Sequence, residues 1–170
     1  MTRREALARA IFLVSGLALG PAACSRALDT GFFRAGEMRI LEALCETILP
    51  QTDTPGARAA NVHGFIDGLM QTWASRATQV ETRSLLKRID DAAPARFSAL
   101  DTRKQTAFVQ HFDTAAFAAR DKAWIQLKKL VLLGYYSSEI GATLELAYLP
   151  VPGEWRPHEP VTADTRTWAE

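Results

Sequence analysis

The stretch DKAWIQLKKLVLLGYYSSEIGATLEL, residues Asp121 to Leu146, decides the fold. Trp124, Ile125, Leu127, Leu130, Val131, Leu132, Leu133, Tyr135 and Tyr136 follow the three- and four-residue steps of an α-helix. Through the middle they cover nearly every face, so this helix lies at the centre of a bundle or is shared with a partner. The pattern predicts one helix over the whole of 121–146.

Upstream the same period repeats. Asp101 reads as an N-cap ahead of Gln105, Phe108, Val109, Phe112 and Phe117. A helix over roughly Gln79 to Ala92 turns Leu85, Leu86 and Ile89 inward, and Pro94 interrupts it. Another, about Ala57 to Trp73, carries Val62, Phe65, Ile66, Leu69 and Met70. Its Gly64 and Gly68 stand four apart on one face, which admits close approach of a second helix at about 1 kcal/mol of helix stability each. Met38, Ile40, Leu41, Leu44, Cys45, Ile48 and Leu49 form the first stripe, stopped by Pro50 and a turn over Gln51 to Gly56. No period-two pattern competes. The expectation is an all-α single domain of about five helices over residues 37–170, with a proline-rich irregular C-terminal tail from about residue 147. There Pro150, Pro152, Pro157 and Pro160 forbid regular structure among Tyr148, Leu149, Val151, Trp155 and Trp168. Such a tail wraps its own domain or lies across another protein.

The first 24 residues have the layout of an export signal. Arg3, Arg4 and Arg9 make a positive head, Ala10 to Leu19 a short apolar run, and Gly20 to Ala23 a small-residue exit. The run is well below the ~20 residues a membrane span needs. The adjacent Arg3 and Arg4 point to the twin-arginine route, which carries folded proteins. Cys24 follows Ala22-Ala23 as a lipid-attachment cysteine does, although Pro21 stands where such signals usually place Leu; cleavage and lipidation both remain open. Residues 25–36 form a tether. The location expected is the periplasm, with membrane association through a lipid anchor or a complex.

Of the twenty basic residues, Arg3, Arg4 and Arg9 precede Cys24, and of the nineteen acidic ones only Glu5 does. The remaining chain has a net charge of −1, which gives no reason to bind nucleic acid or an anionic membrane face. Cys45 has no partner for a disulfide once Cys24 is processed, and its apolar setting predicts an inert buried thiol. Catalytic patterns are scarce. His63, His111 and His158 lie far apart, and only His63 and Asp67 share a helical face. Ser137 and Ser138 lack a G-x-S-x-G elbow, and no nucleotide-binding glycine motif or haem-attachment motif occurs. Asp90 and Asp91 point to different faces and are expected in solvent. An enzyme working through His63, Asp67 and His111 is the least favoured reading, and a free-standing lipoprotein that binds a small ligand or an envelope partner is the alternative.

The block Gly134-Tyr135-Tyr136-Ser137-Ser138-Glu139-Ile140-Gly141-Ala142-Thr143, followed by Tyr148-Leu149-Pro150-Val151-Pro152-Gly153-Glu154-Trp155, resembles the small subunit (subunit 3) of gluconate 2-dehydrogenase. Ile48-Leu49-Pro50, Pro55-Gly56-Ala57 and Val62 to Asp67 resemble the first half of that family. The resemblance implies a cofactor-free accessory subunit. Its relatives assemble with a flavin-dependent (GMC-type) large subunit that carries FAD and a cytochrome c subunit that carries haem. The small subunit is thought to aid maturation and co-export of the large one. No catalytic, cofactor-binding or metal-binding residue is carried over. The docking surface expected on physical grounds comprises Tyr135, Tyr136, Glu139, Tyr148, Pro150, Pro152 and Trp155, rich in the aromatic residues of binding hot spots.

Overall fold

Asp101 and Asp121 each turn a carboxylate onto the free amides that begin a helix. Asp101 Oδ1 accepts the Lys104 N–H at 2.9 Å, and Asp121 Oδ1 accepts those of Ala123 and Trp124 at 3.0 and 3.2 Å. Ser75 does the same for Thr78 at 3.2 Å, starting its helix three residues ahead of the expected Gln79. The computed structural model describes residues 31–147 together with 153, 158, 160–162 and 165–167. The chain divides into two units, Met1–Thr30 and Gly31–Glu170, and the helical domain is the second of them. Arg3, Arg4, Cys24, Tyr148, Pro150, Pro152 and Trp155 lie outside the described residues.

Among the described residues there are five α-helices and no strand element: α1 (Ala35–Ile48), α2 (Val62–Thr72), α3 (Arg76–Ala92), α4 (Thr102–Ala118) and α5 (Lys122–Tyr136). A 3-10 turn, Phe97–Ala99, joins α3 to α4. The all-α reading holds. The second helix starts at Val62 rather than Ala57, because Asn61 adopts a left-handed conformation (φ 51°) that ends the preceding turn.

Helix α5 is central and packs on α1, α2, α3 and α4. Trp124, Leu127 and Val131 are buried on it, against Leu41 and Leu44 of α1, Ile66 and Met70 of α2, and Leu85, Leu86 and Ile89 of α3. Burying each such side chain contributes about 1.5–3 kcal/mol. Phe97, Phe108, Phe112 and Trp124 form a ring chain with successive centroids 5.7, 6.0 and 5.1 Å apart. The Trp124 indole N–H donates to Asp113 Oδ1 at 2.6 Å, and Lys128 Nζ donates to the same oxygen at 2.7 Å. A large aromatic can therefore lie in the core without an unpaired donor.

Two expectations are corrected. Helix α5 ends at Tyr136 and does not run to residue 146. Ser137 Oγ donates to the Leu133 carbonyl at 2.6 Å, and Ser138 Oγ donates to that of Tyr135 at 2.6 Å while accepting the Gly141 N–H at 3.1 Å. The serine hydroxyls take up backbone groups at the end of the helix, and the chain resumes as a π-helical turn, Gly141–Glu145. Nor do Gly64 and Gly68 provide the close helix approach. A Cβ on Gly68 would meet nothing within 4 Å, and the atoms nearest to one on Gly64 belong to the side chain of Asn61, the closest at 2.6 Å. The approach lies on α5, where a Cβ on Gly134 would come 2.7 Å from Phe65 Cδ1 and 3.1 Å from Val62 Cγ1.

Candidate functional site

The two halves of the sequence that resemble the family meet at one corner of the fold. Tyr135 is 4% exposed and its hydroxyl donates to the Pro55 carbonyl at 2.8 Å. Thr54 Oγ1 donates to Glu145 Oε2 at 2.7 Å, joining the early loop to the π-turn across 91 residues of sequence. Glu46 organises that loop from α1: its carboxylate accepts the Gln51 and Arg58 N–H groups at 3.1 and 2.9 Å. A Cβ on Gly56 would lie 2.6 Å from Gln51 N and 2.8 Å from both Glu46 oxygens, so only glycine passes there without displacing backbone. On the far side Gly141 sits directly on the Tyr135 carbonyl, where a Cβ would come within 2.1 Å of the oxygen.

The tail also returns to this corner. The Ala147 N–H donates to the Thr167 carbonyl at 2.8 Å, and Arg166 Nη1 donates to the Leu144 carbonyl at 2.9 Å. Part of the tail therefore lies on its own domain.

The outward side is apolar for a helix end. Leu133 is 56% exposed, Leu144 49% and Tyr136 38%, with Leu132 and Glu139 also exposed. Tyr136 stands edge-on to Tyr135, their centroids 5.4 Å apart. A small cavity of about 160 Å³ opens beside them, walled by Leu49, Pro50, Thr54, Tyr135, Tyr136 and Glu145. Of the three tyrosines expected at the docking surface, Tyr148 lies outside the described residues, Tyr135 completes the core and Tyr136 is exposed. Leu133 and Leu144, not among the residues expected there, are exposed as well. A signal for Leu133 is present in the all-round apolar pattern of α5, whereas Leu144 becomes visible only once the helix breaks.

Several of the residues weighed for chemistry have structural uses. Asp67 Oδ1 accepts the Phe33 N–H at 2.8 Å, fastening the start of the domain to α2. His63 Nδ1 is buried and makes no hydrogen bond among the described residues. Asp90 is not simply solvated: it accepts the Phe97 N–H at 2.8 Å, while Asp91 pairs with Lys87. Burial pushes the Cys45 thiol up to about 12, well outside the range of a reactive thiolate. Among the described residues, no three His, Cys, Asp or Glu side chains gather as a metal would require.

Fold and site together define a small helical domain in which a broken central helix presents an apolar corner. The family model for gluconate 2-dehydrogenase subunit 3 matches residues 35–153, and the chain belongs to that family. No curated protein and no solved structure matches it.

Proposed function

We propose that this chain is a non-catalytic accessory subunit of a periplasmic FAD-dependent dehydrogenase complex acting on gluconate, a sugar or an alcohol, and that it assists maturation and co-export of the flavoprotein large subunit. The observation that carries this reading is the family match over residues 35–153. FAD belongs to the GMC-type large subunit and haem c to a cytochrome subunit. A flavoprotein that folds around FAD in the cytoplasm needs an export route that accepts folded cargo. A small partner bearing Arg3 and Arg4 supplies that route if it binds the folded subunit first.

The corner at the end of α5 supports the docking step. Leu133 and Tyr136 at the end of α5 and Leu144 on the π-turn offer exposed apolar and aromatic contact area. The proline-rich segment with Tyr148 and Trp155 follows the π-turn directly in the sequence. Co-expression with the genes that flank it tests the reading: a flavin absorbance spectrum should accompany the purified chain. Replacing Tyr136, Tyr148 and Trp155 together with Ala should abolish that flavin signal and leave the helical circular dichroism unchanged. Retention of the flavoprotein by the triple variant would sink the docking surface. Arg3→Lys with Arg4→Lys should strand the flavoprotein in the cytoplasm, and its arrival in the periplasm would show that the signal serves the small chain alone.

A further inference from the structure

The charge beyond Cys24 nearly cancels in total, but the fold does not spread it evenly. A groove of about 290 Å³ between α1, α3 and the 3-10 turn is lined by Arg39, Arg83, Lys87 and Arg96 against Glu37 and Asp90. Both carboxylates are engaged. Glu37 accepts the Arg34 N–H at 2.8 Å and stands 3.5 Å from Arg83 Nε, and Asp90 accepts the Phe97 N–H. Lys87 is paired with Asp91. Arg39 and Arg96 are exposed and make no ion pair among the described residues. Two guanidinium forks are thus left free on the rim of a positive groove, the geometry that suits phosphate oxygens.

The groove lies where the chain enters the domain. Arg83 Nη2 donates to the Phe32 carbonyl, its guanidinium carbon sits 4.1 Å from the centre of the Phe32 ring, and Phe33 is buried alongside. Seven residue steps separate Cys24 from Gly31, at most about 25 Å of extended chain. A signal held in the bilayer, or a lipid on Cys24, keeps the start of the domain within that distance of the headgroups.

We propose that the Arg39–Arg96 groove rests on the anionic phospholipid headgroups of the membrane from which the chain is exported. This rests on the export reading above and adds a contact surface to it. The contact orients the domain with its tether side toward the bilayer. It revises the expectation from net charge, because a headgroup surface responds to the local cluster within a Debye length, about 8 Å at physiological salt, and not to the sum over the chain.

The test is co-sedimentation of the full chain with vesicles of mixed phosphatidylglycerol and phosphatidylcholine, against vesicles of phosphatidylcholine alone. Arg39→Gln with Arg96→Gln should lower partitioning onto the mixed vesicles about 25-fold, roughly five-fold per arginine. A charge-matched control, Arg103→Gln with Lys122→Gln at exposed positions elsewhere, should leave it unchanged. Equal losses in both variants would assign the effect to overall charge and overturn the proposal. So would equal binding to neutral vesicles, which would assign it to the signal segment. Displacement by millimolar inorganic phosphate would make the groove a free oxyanion site instead. The Arg39/Arg96 variant should still co-purify with the flavoprotein, so loss of the membrane contact and failure of the accessory-subunit reading are scored separately.

Discussion

Replacing Gly141 with Ala probes the corner proposed for docking. The new Cβ would stand 2.1 Å from the Tyr135 oxygen, 2.8 Å from its carbonyl carbon and 3.0 Å from Tyr136 Cα. All three are backbone atoms, so no side-chain rotation relieves the contact, and a shift of about 1 Å or more is needed to restore normal separation. Overpacking of that kind costs about 1–3 kcal/mol. The smaller chain entropy of Ala in the unfolded state offsets about 0.4–1 kcal/mol. The net expectation is a loss of about 1–2 kcal/mol. Gly68→Ala supplies the opposite case: it lies inside α2 with nothing within 4 Å, so it should gain about 0.5–1 kcal/mol of helix stability. In urea, with a slope of about 2 kcal/mol/M, the Gly141 variant should fall by about 0.5–1 M in midpoint and the Gly68 variant rise by about 0.3–0.5 M. Native-state hydrogen exchange should show the Gly141 loss concentrated in the π-turn, and the effects of the two substitutions should add in the double variant. A Gly141→Ala midpoint at or above the parent would refute the packing of the π-turn onto the Tyr135 carbonyl.

Asp121→Asn keeps an N-cap but removes a charge. Burial raises the Asp121 carboxyl, yet the Trp124 N–H and the Arg88 guanidinium outweigh it and leave its pKa below the ordinary value. A lowered folded pKa contributes stability above the unfolded value of about 3.9 that is lost as pH falls through the folded one. The parent should therefore exceed the variant at neutral pH, and the two urea midpoints should converge as the pH falls through the lowered folded value of Asp121. Cys45, with its thiol pushed up to about 12, should resist alkylation at about pH 8 in a Cys24→Ser chain and react on addition of denaturant. Rapid labelling of the folded chain would contradict its burial. Tyr135→Phe removes the hydroxyl that meets the Pro55 carbonyl and should cost about 0.5–1.5 kcal/mol, read from thermal or urea unfolding.

The helices are legible in the sequence because their causes are local. Asp101 is recognisable as a cap from its own position ahead of an apolar stripe, and it caps as expected. The first helix, read from Met38 to Leu49, forms as Ala35–Ile48. Ser75 escapes such a reading because Thr78 and its neighbours carry no apolar signal, although its bond to the Thr78 N–H is a local one. The end of α5 escapes for a related reason. Apolar period alone runs through Ser137 and Ser138, and nothing in it shows that their hydroxyls bond backward to Leu133 and Tyr135.

The candidate surface divides along the same line. That the last helix has more apolar residues than one face can bury is written in residues 121–136. Which of them the core takes is not: Tyr135 and Tyr136 are adjacent and chemically alike, and only the Pro55 carbonyl, 80 residues away, draws one inward. Likewise Gly64 and Gly68 have the spacing of a helix contact, but the shape of α2 against α5 uses Gly134. The sequence by itself determined the helical class, the starts of α4 and α5 and the family, since these rest on contacts three or four residues apart and on contiguous blocks. Only the tertiary structure decided the exposed apolar corner at the end of α5 and the basic groove. Both bring together side chains from distant segments, and the gain from such contacts depends on how whole helices pack, which no local pattern records.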